Sequence, residues 1–191
     1  MQTNRKYSRI RILVECAMMI AVGTVLSNIK IFEMPNGGSI TLVSMLPFIL
    51  VSYRHGVKWG LATGFVNSLL QMMLGWWAPP AGTLTAYVGM ILLDYVLAFT
   101  LLGLAVVFAK PFGGPRKPLG AAIGAAVVCC IRFVCSFLSG FLIWGSLASD
   151  GIGAVIYSLQ YNASYMVPET IITVAAAALL CKCAPMLFTA E

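Results

Sequence analysis

Apolar runs separated by short breaks organise the chain. The first run covers residues 12–28, and a polar passage at 30–39 follows, with Pro35, Gly37 and Gly38. The second run, 40–53, is short for a membrane crossing, which calls for a tilted helix or one partly buried in protein. A basic turn with Arg54, His55, Gly56 and Lys58 leads into the third run, 59–74. Residues 75–82 carry no charge and contain Pro79, Pro80, Gly75 and Gly82, a helix-breaking loop. The fourth run is 87–109, and the proline- and glycine-rich stretch 110–118 closes it. The fifth, 119–147, is long enough to tilt, and Ser149, Asp150 and Gly151 break it. The last, 154–186, contains Pro168, which is expected to separate an interfacial first part from a final span. About 20 apolar residues cross the hydrocarbon of a bilayer. The pattern therefore predicts an all-α integral membrane protein with six transmembrane helices, residues 1–191 forming a single polytopic domain.

Composition supports this. Of 191 residues, 60% are hydrophobic and 9% charged, against roughly 25% charged in a soluble domain. That excludes an ordinary water-soluble globule, and a disordered chain, which needs low hydrophobicity. A net charge of +6 could point to nucleic acid, but the placement of the charges speaks against it. If the spans alternate, Arg5, Lys6, Arg9, Arg11, Arg54, Lys58, Lys110, Arg116, Lys117 and Lys182 share one side and Lys30 is opposite. The positive-inside rule then puts both termini in the cytoplasm. The first run is too long for a cleavable signal peptide. Cys16, Cys129, Cys130, Cys135, Cys181 and Cys183 lie in apolar runs and read as small buried hydrophobes, not metal ligands.

Polar groups in hydrocarbon are costly and mark function by default. Four charges fall in or near spans: Glu15, Asp94, Arg132 and Glu169. Glu15 sits near the cytoplasmic start of the first helix and reads either as a solvated end or as a functional group. Asp94 and Arg132 lie at similar depth and either pair with each other or face a ligand cavity. Arg132, Ser136, Gly140 and Trp144 recur every four residues, about 400° per step, and so share a stripe. Helix packing alone could explain Ser136 and Gly140. In the last run Tyr157, Tyr161 and Tyr165 are spaced by four, and Asn162 and Glu169 by seven. An interfacial aromatic belt would explain the tyrosines but requires neither the amide nor the acid. Tyr87 and Tyr95 add rings from the fourth run, while Trp76 and Trp77 serve as belt anchors or as a ligand cover. Rings with an acid suit a flat, aromatic, cationic solute, which a ring face attracts by about 0.5–2 kcal/mol. The only histidine, His55, lies in the basic turn, which excludes a Ser/His/Asp hydrolase and a His-rich metal site. No phosphate-binding loop is present, so the chain does not itself use ATP in the usual way.

The chain resembles the substrate-binding S-component of an energy-coupling factor (ECF) transporter, in its thiamine-specific branch. The likeness is carried by Pro35-Asn36-Gly37-Gly38-Ser39-Ile40, by Leu93-Asp94-Tyr95-Val96-Leu97-Ala98-Phe99, and by Arg132-Phe133 through Ser139-Gly140 to Trp144. Tyr157-Ser158-Leu159-Gln160-Tyr161-Asn162-Ala163-Ser164-Tyr165 before Pro168-Glu169 completes it. The resemblance implies a multi-pass protein of the bacterial cytoplasmic membrane that is not an enzyme and carries no cofactor. It implies capture of thiamine outside the cell, with residues 75–85 as a flexible cover. It also implies partners: an ECF module of one transmembrane scaffold subunit and two ATPases, with membrane lipid around the helices. Carried over by motif, the substrate site comprises Asp94, Tyr95, Arg132, Ser136, Gly140, Trp144, Tyr157 and Asn162. Ala17 and Ala21, four apart on the first helix, match the family's scaffold-docking pattern. The family usually has Glu where Asp94 stands, His where Ser136 stands, and often Trp where Phe32 stands. A thiamine precursor or another heteroaromatic vitamin is the alternative ligand, and a lipid-modifying membrane enzyme or a ligand-free scaffold the alternative class.

Overall fold

A computed structural model describes residues 2–34, 37–148 and 153–189, with side chains from Arg9 onward. Pro35, Asn36, Ser149, Asp150 and Gly151, which entered the sequence reading, lie outside the described residues, as do the side chains of Arg5 and Lys6. Helix α1 (Gln2–Asn28) begins well before its apolar run, because the Arg- and Lys-rich start contains good helix formers and no breaker. The polar passage after it is not a plain loop. Strands β1 (Lys30–Glu33) and β2 (Ser39–Thr41) pair antiparallel, Phe32 opposite Ile40 and Glu33 opposite Ser39. The all-α expectation is corrected to that extent: the chain is mostly helical, with one small sheet.

Helix α2 (Leu46–His55) starts later than the apolar run predicts, since β2 and the left-handed Val43, at φ 59°, occupy its first part. Ten residues reach only about 15 Å, half of a bilayer core. Residues 46–53 are all buried, so α2 is the run that protein rather than lipid covers. Gly56, at φ 86°, reverses the chain directly into α3 (Val57–Leu74), a backbone conformation that side chains other than glycine disfavour. Helix α4 (Leu84–Phe112) is irregular: a π segment covers Ile91–Leu97 and a 3₁₀ segment Leu101–Leu104. Helix α5 (Pro118–Leu142) stops short of the predicted end. Helix α6 (Ala154–Cys183) runs unbroken with Pro168 inside it, so the proline does not divide an interfacial part from a span. Among the described residues α1, from Arg9 on, α4, α5 and α6 are each long and apolar enough to cross a membrane.

The helices meet through small residues. A Cβ on Gly60 would lie 2.9 Å from Gly103 Cα, and one on Gly64 would strike Phe99 O, so α3 and α4 touch backbone to backbone. The larger core joins Met45, Phe48 and Ile49 with Leu102, Val128 and Phe188 near the basic end of the bundle. A smaller cluster of Met90, Tyr95 and Ile143 sits toward the other end. Glu15 is not simply solvated, as its position suggested. Its carboxylate lies 2.8 Å from Arg54 Nε, 2.7 Å from His55 Nε2 and 3.2 Å from Arg11 Nε, tying α1 to α2. Four of the six cysteines are buried as expected, and Cys130 and Cys183 are exposed.

Candidate functional site

A cavity of about 250 Å³ adjoins the smaller cluster, walled by the end of α1, by α3, α4, α5 and α6 and by the hairpin. Its volume sits near the lower bound of small-molecule sites, roughly 300 Å³. All eight candidate substrate residues line it: Asp94, Tyr95, Arg132, Ser136, Gly140, Trp144, Tyr157 and Asn162. Trp77, Phe99, Tyr161 and Tyr165 add four rings to the predicted set, and the rest of the wall is mostly polar, with Asn28, Lys30, Gln71 and Glu169 among it.

The π segment of α4 carries the acid. Such segments insert an extra residue per turn and are frequent at functional sites. Asp94 Oδ2 accepts hydrogen bonds from Ser139 Oγ at 2.5 Å and from Trp144 Nε1 at 3.4 Å. Among the described residues Oδ1 makes no hydrogen bond, so half of the carboxylate is held and half is available. The pairing of Asp94 with Arg132 does not occur among the described residues. Arg132 Cζ instead sits 4.5 Å from the Phe99 ring centroid, a cation–π contact. Its buried Nε has no hydrogen-bond partner there. Both charges therefore face the cavity separately.

Other members of the predicted site act on neighbours. Tyr95 donates its hydroxyl to Gly75 O at 2.8 Å, and its ring stacks on Trp76 at 6.1 Å between centroids. Trp76 also stacks on Tyr87 at 6.3 Å. The loop after α3 is thereby pinned to α4, while Trp77 turns to the cavity. Gly140 is a packing glycine. A Cβ there would collide with Ser158 Oγ and come within 2.9 Å of Asn162 Nδ2, so its bare face receives α6. Asn162 is spent largely on the protein: Nδ2 donates to Ser136 O at 3.2 Å and Ser158 O at 2.9 Å, and Oδ1 accepts from Tyr165 Oη at 2.9 Å. Trp144 lies past the end of α5, yet the last turn keeps it on the cavity, its backbone N–H donating to Ser139 O at 3.3 Å. Phe32 is exposed and does not line the cavity. Trp77 is the tryptophan that the cover contributes.

Sequence reasoning missed the hydroxyls Thr41, Ser44 and Ser139, because a single small polar residue carries no periodic signal. Ser139 was visible only as the residue before Gly140. No group of three or more His, Cys, Asp or Glu able to hold a metal ion occurs among the described residues.

A helical membrane protein whose helices converge on one ring-lined cavity with a half-engaged acid belongs to the class that binds a small solute in transit. The chain is, more particularly, a member of the family described as Thiamine transporter protein (Thia_YuaJ), whose profile matches residues 13–189. It is similar to the thiamine transporter ThiT of Bacillus subtilis, 34% identical over 94% of each chain. It is also similar to ThiT of Lacticaseibacillus paracasei, 24% identical over 98% of this chain and 94% of that one. A solved structure of ThiT from Listeria monocytogenes shares the fold, with a TM-score of 0.78 at 24% identity, covering 95% of this chain and 99% of the other. Membership in this family makes the chain a multi-pass transporter of the bacterial cell membrane and not an enzyme.

Proposed function

We propose that the chain captures thiamine on the outer side of the membrane as the substrate-binding subunit of an ATP-driven ECF transporter. The observation that carries this reading is the cavity: an acid with one free oxygen, Asp94, among the rings of Trp77, Trp144, Tyr157, Tyr161 and Tyr165. Thiamine is flat, heteroaromatic and positively charged, so rings can stack on it and the acid can balance its charge. The residues proposed to touch it are Asp94, Arg132, Ser136, Trp144 and Tyr157, with Tyr95, Gly140 and Asn162 shaping the wall around them. Six crossings with both termini in the cytoplasm fit the charge pattern. The hairpin and the loop after α3 both line the cavity, and alternating spans put these two segments opposite the Lys- and Arg-rich end. Titration of the purified protein with thiamine, followed by tryptophan fluorescence, is the test. Saturable quenching at sub-micromolar ligand is expected, and it should disappear in Trp144→Ala. A folded protein that shows no quenching would sink the thiamine reading and send the search to other heteroaromatic vitamins.

The scaffold partner is proposed to dock on α1. Ala17 and Ala21 are exposed on that helix, beside Met18 and Val22. Small residues four apart let a second helix approach closely. Ala17→Trp with Ala21→Trp is expected to leave thiamine affinity unchanged while abolishing ATP-driven uptake in reconstituted vesicles. Unimpaired uptake would remove α1 as the docking face.

A further inference from the structure

Glu169 is a buried acid that the capture reading leaves without a task. It is 4% exposed and lines the cavity beside β2. Unlike Asp94, it has both oxygens engaged. Oε2 accepts from Thr41 N at 2.6 Å, and Oε1 lies 2.6 Å from Thr41 Oγ1, which in turn sits 2.7 Å from Ser44 Oγ. Both Glu169 bonds cross from α6 to the hairpin, more than a hundred residues away in sequence.

Glu169 also continues a stripe. Tyr157, Tyr161, Tyr165 and Glu169 follow one another every four residues on α6, so they lie along one face. Tyr161 Oη accepts from Gly38 N at 3.1 Å. Gly38 rests on Tyr165 so closely that a Cβ would come within 2.6 Å of the ring. Three successive members of the stripe therefore hold the short span from Gly38 to Thr41. A three-residue strand paired with only one neighbour has little stability of its own, so its seat must come from these contacts. The carboxylate is the strongest of them, because bonds to a charged acceptor exceed neutral ones and losing it orphans a buried N–H.

We propose that Glu169 is a positioning residue that seats β2 against the cavity and thereby governs how fast bound thiamine leaves. This rests on the capture reading above. The rival role for a cavity acid is counter-charge for a cationic ligand, and the two separate by chemistry. Glutamine at 169 can still accept the Thr41 amide and can donate to Thr41 Oγ1. It keeps the seat and loses the charge.

The test uses the full chain in detergent. Thiamine release and association are followed by stopped-flow tryptophan fluorescence, and hydrogen exchange of peptides covering β1 and β2 is measured without ligand. Glu169→Ala is expected to speed release by at least about tenfold, the effect of roughly one lost bond to a charged acceptor. Association should stay within about threefold, since most effects of such contacts fall on dissociation. Thr41→Val should speed release less, and Glu169→Gln should stay close to the parent. Exchange should rise in the same order. The proposal is overturned if Glu169→Gln is as damaging as Glu169→Ala, which would make the charge the operative feature. It is equally overturned by unchanged exchange in Glu169→Ala and Thr41→Val, or by faster exchange with unchanged release. Should Glu169→Ala fail to fold, Thr41→Val and Glu169→Gln decide by the same criteria. If the parent protein does not take up thiamine at all, the capture reading falls. The order of exchange rates then judges the seat: a graded rise supports it, and equal rates overturn it.

Discussion

Asp94→Asn is expected to weaken thiamine binding by two to three orders of magnitude. The amide keeps the size of the acid, and its oxygen can still accept from Ser139 Oγ, so the local structure survives. What disappears is the negative charge facing a cationic solute in a partly buried site. Removing one partner of a buried ion pair costs about 3–5 kcal/mol, and about 1.4 kcal/mol corresponds to tenfold in affinity. The structure adds a reason to expect the upper part of that effect. Ser139 and Trp144 both donate to Oδ2, which fixes the group and lowers the ordering cost on binding. Calorimetric titration of the variant checks the magnitude. A neutral isostere of thiamine should bind parent and variant about equally well, because it gains nothing from the charge. A loss below about fivefold for thiamine would show that Asp94 is not its counter-charge.

The same group explains how far the sequence could be read. Asp94, Arg132 and the stripe through Ser136 and Gly140 were legible, because polar residues at a regular step stand out against an apolar background. Their convergence on one cavity follows from helix faces that a one-dimensional pattern can assign. The π segment around Asp94 was not legible: Ile91–Leu97 is as apolar as the rest of α4, and nothing in its composition announces an extra residue per turn. The hairpin was missed for a different reason. Its second strand is three residues long and is held by side chains of α6, so its existence is a tertiary fact that local propensity does not encode. The expected break at Pro168 failed because membrane helices tolerate proline where neighbouring packing and hydrogen bonds take up the freed backbone groups. Gly140 was noticed for the right backbone reason, with ligand and helix both open as its neighbour. The geometry assigns it to α6.

That assignment gives the other large effect. Gly140→Val is expected to abolish measurable thiamine binding and to lower the melting temperature. Even a Cβ at this position collides with Ser158 Oγ and crowds Asn162 Nδ2. Neither atom is the free end of a flexible chain. Ser158 Oγ donates to Phe137 O at 2.6 Å, and Asn162 Nδ2 bridges to Ser136 O and Ser158 O. To make room α6 must move off α5, and those bonds break with it. Overpacking costs about 1–3 kcal/mol, and each buried polar group left unsatisfied about 1–3 kcal/mol more. The displacement also carries Tyr157, Asn162 and Tyr165 away from the cavity, so affinity falls along with stability. Gly82→Ala is the control, since a Cβ there meets nothing within 4 Å, and it should match the parent in both assays. Adding Ser158→Ala to Gly140→Ala removes the nearest obstructing atom and should recover part of the lost binding. The remaining crowding from Asn162 Nδ2 at 2.9 Å and Ser158 Cβ at 3.1 Å keeps recovery incomplete. If Gly140→Val bound thiamine within about threefold of the parent, well under the tenfold that 1.4 kcal/mol represents, the close contact of α5 with α6 would not be what shapes the site.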